Sequence, residues 1–297
     1  MMGQREPLQG VGKTALGVAV VRARESRRED RLFDDPYAQA FVDAVPGAFP
    51  AEPASARDLA TPGSPARLGE VFYLHGVVRT RFFDEHLLSA TAAGCRQVVL
   101  LAAGLDARAF RLPWPDGVRV FELDLPEVLA FKDTVLNGCA AVPRCERAVV
   151  PADLREDWAS ELVEAGFDRG RPTAWLAEGL LLYLTAGESA RLLAGVGELS
   201  APGGRLAFEH GAAPGSAMLA QAWETPALRQ YAELWKGGPG EDAPGWLSRY
   251  GWRPRTHDWA TVAASYGRSA PESPGSSGRW TPESPGGGFV TAVRDGR

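Results

Sequence analysis

Acidic residues stand at the ends of three apolar stretches in the middle of the chain. Glu122 and Asp124 close "VRVFELD", Asp153 closes "RAVVPAD", and Glu178 closes "PTAWLAE". If those stretches are strands of one parallel sheet, the acids gather at its carboxyl edge, where open α/β sheets bind ligands. A carboxylate there can take both hydroxyl hydrogens of a ribose diol. An Asp-Leu pair such as Asp153-Leu154 can accept from an adenine amino group while a backbone N–H meets a ring nitrogen. Carboxylates also favour a nearby sulfonium cation. Any one of these acids could instead cap the helix that follows it; an acid at every successive strand end asks for more than capping.

The turn that would face them lies in "QVVLLAAGLDARAFRL", Gln97 to Leu112. An apolar run, Val98 to Leu101, breaks at Ala102-Ala103-Gly104 and leads into a helical stretch. A strand running into a small-residue turn at a helix start makes room for a nucleotide-like cofactor. The dinucleotide fingerprint G-x-G-x-x-G is missing, so a pyrophosphate is not expected there, which weighs against a nicotinamide oxidoreductase. "GVGKT", Gly10 to Thr14, is no P-loop, because Pro7 stands where a Gly is needed and no apolar strand precedes it.

The elements that must position these residues alternate from Gln97 onward. Strands are expected at "QVVLLA", "VRVFELD", "RAVVPADL", "PTAWLAEG" and "GGRLAFEHG", with helices at "DARAFRL", "PEVLAFKDTVL", "WASELVEAG" and "AGESARLLAGVGELS" between them. Such alternation implies right-handed βαβ units and a parallel sheet buried on both faces. The first ~90 residues read as helices and loops. "TALGVAVVRARES" is opened by Thr14 as N-cap, "DDPYAQAFVDAV" follows, and "LGEVFYLHGVVRTRFFDEHLLSAT" forms one long amphipathic helix or two. Pro46 to Pro65 reads as a connection or lid. After Gly211 the pattern is helical around "MLAQAW" and "PALRQYAELW", with later strands at "GWRPRTHDW" and "GGFVTAVRDG" and a Pro/Gly/Ser-rich loop from Ala270 to Gly288.

Of the 297 residues, 45% are hydrophobic, and the net charge is −5. The acidic balance weighs against a nucleic-acid partner. Three cysteines, Cys95, Cys139 and Cys145, without metal-ligand spacing fit a reducing cytoplasm and no metal. "TALGVAVV" is too short to span a membrane, and no membrane partner is expected.

At this point the motifs carry a resemblance. In order and spacing, "QVVLLAAGLDARAFRLPWP", "VFELDLPEVLAFKDTVL", "PADLREDW" and "GFDRGRPTAWLAEGLLLYLT" resemble the leucine carboxyl methyltransferase-like family, S-adenosylmethionine-dependent enzymes abundant in actinobacteria. "RARESRREDRLFDDPYAQAFV" and "VVRTRFFDEHLL" resemble its leading segments, so the likeness runs from Val21 to Gly211. It implies a class I methyltransferase fold, an α/β architecture with a seven-stranded, mostly parallel Rossmann-like sheet and helices on both faces. Residues 1–297 would form one domain: a helical cover over 1–95, a cofactor core over 96–211, and an acceptor segment over 212–297.

The resemblance also implies roles. Ala102 and Gly104 form the turn beside the methionine part of the cofactor, with one methyl group more at Ala102 than the family's usual Gly. Asp124 binds the ribose with Glu122 as helper, and Asp153 and Leu154 bind adenine. Glu178 lies beside the amino group and sulfonium, and Arg79 pairs with the cofactor carboxylate. Arg24 supplies a second basic group near that end, with Arg22, Arg27 and Arg28 close by in the sequence. Tyr183 is a candidate for the methyl-transfer pocket and His210 for a general base. The expected reaction is O-methylation of a carboxylate on a small natural product or peptide C-terminus, with Arg108 and Arg111 available to hold it. A hydroxyl acceptor, such as a polyketide phenol, is the alternative and would need a base.

Overall fold

A computed structural model describes residues 11–47, 64–210, 234–239, 242–269 and 288–296. The expected helices around "MLAQAW" and most of "PALRQYAELW", the Pro/Gly/Ser-rich loop, and most of the 46–65 connection lie outside the described residues. Helix α1 is Val11–Ser26, α2 is Ala38–Asp43, and α3 is a single 28-residue helix, Pro65–Ala92. Thr14 lies inside α1 rather than capping it.

The core then alternates. Strand β1 (Gln97–Leu101) leads to α4 (Arg108–Arg111), β2 (Arg119–Asp124) to α5 (Pro126–Gly138), and β3 (Glu146–Pro151) to α6 (Trp158–Glu164). Strand β4 (Thr173–Ala177) runs through a 3₁₀ turn, Leu181–Tyr183, to α7 (Ala186–Glu198), and β5 (Arg205–His210) follows. After these come α8 (Ala243–Arg249), β6 (Trp252–Asp258), α9 (Trp259–Ser265) and β7 (Gly288–Arg294). All seven expected strands are present. The sheet order is β3-β2-β1-β4-β5-β7-β6, with β1 to β5 parallel and β7 antiparallel to both neighbours.

Why the central strands read as unbroken apolar runs is visible in their burial. Every residue of β1 and β4 is buried, because helices cover both faces. Val98, Leu100 and Val120 pack into the core on one face, while Val99, Leu101 and Phe121 pack into the core on the other. Local signals fix the crossovers. Pro126 occupies the first turn of α5. Asp157 accepts from Ser160 N at the start of α6, and Gly166 (φ +91°) follows that helix. Thr185 and Glu188 form a reciprocal capping box on α7. Among the described residues, no helix is long and apolar enough to cross a membrane.

Candidate active site

A cavity of about 460 Å³ opens at the carboxyl ends of β1 to β4, within the ~300–1,000 Å³ usual for small-molecule sites. Its floor is the turn after β1. Ala102 and Gly104 both adopt left-handed backbone, at φ +54° and +51°. The Ala103 N–H donates to Leu123 O at 2.8 Å, stitching the turn to β2. Asp124, the last residue of β2, then accepts from Gly104 N through Oδ2 at 2.6 Å and from Leu125 N through Oδ1 at 2.7 Å. Each oxygen keeps acceptor capacity for one further donor. Burial raises the Asp124 pKa, against the opposing pull of the two backbone N–H groups.

Asp153 lines the cavity just beyond β3, with Leu154 and Arg155 beside it. The Arg155 guanidinium forks onto both Asp153 oxygens, and this bond first, against burial, holds the carboxyl below its ordinary value. The pair is near the surface, where such a contact is weak and readily rearranged.

Glu178 follows β4 and is the centre of a buried ion network. Its Oε1 accepts from Arg22 Nη2 and Arg79 Nε, each at 3.1 Å, and its Oε2 accepts from Arg108 Nη1 at 2.5 Å. Arg108, fully buried, also donates to Asp106 and, through Nε, to Asp84 at 2.6 Å. Arg111 grips both Asp84 oxygens, at 2.6 and 2.7 Å. Burial alone would raise the Glu178 pKa, but Arg108, Arg22 and Arg79 outweigh it and hold the group ionised far below the ordinary carboxylate range. The same contest leaves the Asp106 pKa lowered, with Arg108 and then Arg22 as its cationic neighbours. Arg108 and Arg111 are thus committed to this network.

The cavity collects Arg79, Ala102, Gly104, Asp124, Asp153 and Leu154, and with them Glu178 and Tyr183. Three other candidates stand elsewhere. Arg24 turns away from it and forks onto Glu70 at 2.6 and 3.0 Å, its guanidinium carbon 3.8 Å from the centre of the Tyr73 ring. Glu122 lies below the cavity, fully buried, where it accepts from Lys132 Nζ at 2.7 Å and from Arg147. His210 is the last residue of β5, opposite Gly288 of β7, and is not part of the cavity wall.

Four residues that the motifs left unassigned belong to the site. Arg22, 4% exposed, supplies the wall from α1, together with Gly12, Thr14, Ala15 and Val18. Its signal was the 3.6-residue period of the helix, which puts 15, 18 and 22 on one face. Asp106 also lines the wall, and its signal was the start of the helical stretch after the turn. Glu209, on β5, binds Arg79 and the Gly179 N–H; its signal was another acid at a strand end. Lys236 reaches the cavity from the C-terminal part of the chain, its backbone N–H bonded to Leu182 O at 2.8 Å. No motif marked it.

Comparison with known proteins adds a family. The family model described as leucine carboxyl methyltransferase matches residues 15–197. A relative from Parafrankia sp. (strain EAN1pec), named for S-adenosyl-L-methionine-dependent methyltransferase activity, is 50% identical over 293 residues, covering 98% of this chain and 90% of the relative. One of the same name from Streptomyces coelicolor is 44% identical, covering 99% of this chain and 100% of the relative. Two solved structures share the fold. One, from Thermobifida fusca and described as a methyltransferase, aligns with TM-score 0.52 at 19% identity over 95% of this chain and 94% of that one. A DUF574-family protein from Streptomyces avermitilis aligns with TM-score 0.54 at 14% identity over 95% and 97%.

Proposed function

Since the chain belongs to the leucine carboxyl methyltransferase family, a group of S-adenosylmethionine-dependent methyltransferases, we propose that it is an O-methyltransferase forming a methyl ester on a carboxylate of a small natural product or a peptide C-terminus. The observation that carries the cofactor reading is the convergence of Asp124, Asp153, Glu178, Arg22 and Arg79 on one cavity at the strand ends. Asp124 fits a ribose diol, because each oxygen has one backbone donor and room for a hydroxyl. Asp153 and the neighbouring backbone suit an adenine edge. Arg22 and Arg79 suit the amino-acid carboxylate, with Glu178 neutralising them between visits and facing the amino group.

Bound S-adenosylmethionine supplies an electrophilic methyl group on a positive sulfur. The chain's own residues must hold the two reactants in line and exclude water. Arg22 and Arg79 anchor one end of the cofactor and Asp124 the middle, so the methyl group is fixed relative to the sheet edge. Helix α1 closes over the turn: a Cβ placed on Gly104 would lie 3.2 Å from Ala15 Cβ. An acceptor carboxylate, with pKa near ~4, arrives ionised at neutral pH and needs no proton removed. Lys236 lines the cavity, and its ammonium lies 3.5 Å from Glu188 in an exposed pair that can be exchanged for the acceptor carboxylate. Residues 1–297 act as one domain in this reading, with the cover and the C-terminal segment framing the acceptor.

The test is a methyl-transfer assay with labelled S-adenosylmethionine and a panel of carboxylic and phenolic acceptors. Product that releases methanol on mild alkaline treatment supports an ester. Alkali-stable methyl ethers would assign a hydroxyl acceptor, and loss of turnover in His210→Ala would then point to the base.

A further inference from the structure

The Arg79 guanidinium is gripped from two strand ends at once. Nε donates to Glu178 beyond β4, at 3.1 Å, and Nη1 donates to Glu209 Oε1 on β5, at 2.7 Å. The second oxygen of Glu209 accepts the Gly179 N–H. Gly179 has left-handed backbone (φ +63°), and a Cβ there would stand 3.4 Å from Arg79 Nη1, so the guanidinium lies against bare backbone. Glu209 therefore ties three pieces together: β5, the turn that carries Glu178, and the arginine delivered by α3.

Glu178 cannot hold Arg79 in this pose by itself, because its oxygens also serve Arg22 and Arg108. Burial works against the Arg79 charge, and Glu209 is the strongest of the groups that offset it, ahead of Glu178. Of the guanidinium nitrogens, Nη2 has no hydrogen-bond partner among the described residues, and Arg79 lines the cavity. We propose that Glu209 is a positioning residue for cofactor binding: by fixing Nη1 it presents the Nη2 edge of Arg79 to the cofactor's α-carboxylate. This rests on the reading that Arg79 pairs with that carboxylate. Without Glu209, one side of the grip is lost and the guanidinium is free to turn onto Glu178, where its charge is spent on a carboxylate already paired.

The experiment is calorimetric titration of S-adenosylhomocysteine and of 5′-methylthioadenosine, which has the same nucleoside and no amino-acid end. The proteins are wild type, Glu209→Gln, Glu209→Ala, Arg79→Ala and the Glu209→Ala/Arg79→Ala double variant, each checked by thermal melting. Glu209→Ala should weaken S-adenosylhomocysteine about tenfold, as expected for a misplaced charge-assisted bond, and leave methylthioadenosine within about twofold. Glu209→Gln should fall between, since its amide oxygen can still accept from Arg79. The double variant should be no weaker than Arg79→Ala alone, because the effect passes through Arg79. Equal losses for both ligands, additive losses in the double variant, or unchanged affinity with Arg79→Ala impaired would each overturn the role of Glu209 alone. Full affinity in Arg79→Ala, or no binding of S-adenosylhomocysteine by the wild type, would instead sink the underlying reading and the inference with it.

Discussion

Arg22 Nη2 lies 3.1 Å from Glu178 Oε1 across 156 residues of chain, while Arg24, two positions along the same helix, forks onto Glu70. Two residues of α-helix turn the side chain by about 200°, so only one of these arginines can face the cavity. Arg22→Ala should weaken S-adenosylmethionine binding by about ten- to a hundredfold, the worth of a charge-assisted hydrogen bond in a partly desolvated site. Arg24→Ala should leave it within about twofold. Calorimetry on the two variants decides the assignment, and reversed sensitivities would move the role to Arg24.

That pair shows what was legible in the sequence and what was not. The basic segment was recognisable, but the choice within it depends on helical phase, and α1 starts at Val11 instead of at Thr14. The central strands were readable because burial on both faces leaves an unbroken apolar run, as in "VVLL" and "TAWLA". Edge strand β6, "WRPRTHD", was readable only from the turn residues around it, since most of its side chains are exposed or half-buried. Glu122 and Asp124 look equivalent in "FELD", yet two residues of strand set Glu122 about 6.6 Å deeper, and Lys132 of α5 closes over it there. Arg108 and Asp84 come from segments 24 residues apart, and nothing local indicates that they pair. Glu209 precedes the last residue of β5, and its partner Arg79 lies 130 residues away on α3, so nothing local in the sequence marks the pair.

Asp124 gives a pH prediction. Burial raises its pKa above the ordinary 3.8, so acidification protonates it sooner than an exposed aspartate. A protonated carboxyl has lost acceptor capacity, and cofactor affinity should fall as the pH drops through the raised value, beginning above pH 3.8. The sign for the unliganded fold is opposite: the folded state holds this proton more tightly than the unfolded chain, so the Asp124 contribution to stability improves on acidification. Asp124→Asn should bind about tenfold or more weakly at pH 7 and show a flatter affinity profile as the pH is lowered from 7 toward 3.8. A wild-type profile as flat as that of the variant would refute the assignment.

The ion network should behave as structure. Arg108→Met leaves Asp84, Asp106 and Glu178 with one buried partner fewer each, and removal of one member of a buried ion group costs about 3–5 kcal/mol. Arg108→Lys should recover little, because one ammonium cannot reproduce a planar fork that reaches three carboxylates. Glu178 has a lowered folded-state pKa, so its stabilisation is full above its ordinary 4.5 and is lost as the pH falls through the lowered folded value. Urea unfolding of wild type and Glu178→Gln should therefore differ by a constant amount from pH 7 to about 5 and converge only in stronger acid. Convergence near pH 6 would mean that Glu178 is not held as described.

The turn after β1 contains opposite strains at two small residues. Ala102 is held at φ +54°, a region that costs a residue with a Cβ about 1–2 kcal/mol, so Ala102→Gly should raise stability by about 1 kcal/mol once the greater freedom of glycine in the unfolded chain is set against the relief. Gly104 has a similar backbone but no spare room, since an added Cβ would lie 3.2 Å from that of Ala15 on α1. Gly104→Ala must combine left-handed strain with displacement of the helix that carries Arg22. Its melting temperature should fall and its cofactor affinity drop at least about tenfold, whereas Ala102→Gly should bind as the wild type does. Melting curves with and without S-adenosylhomocysteine separate the two effects: if Gly104→Ala is destabilised yet gains the full ligand-induced shift of the wild type, α1 is not the wall of the cofactor site.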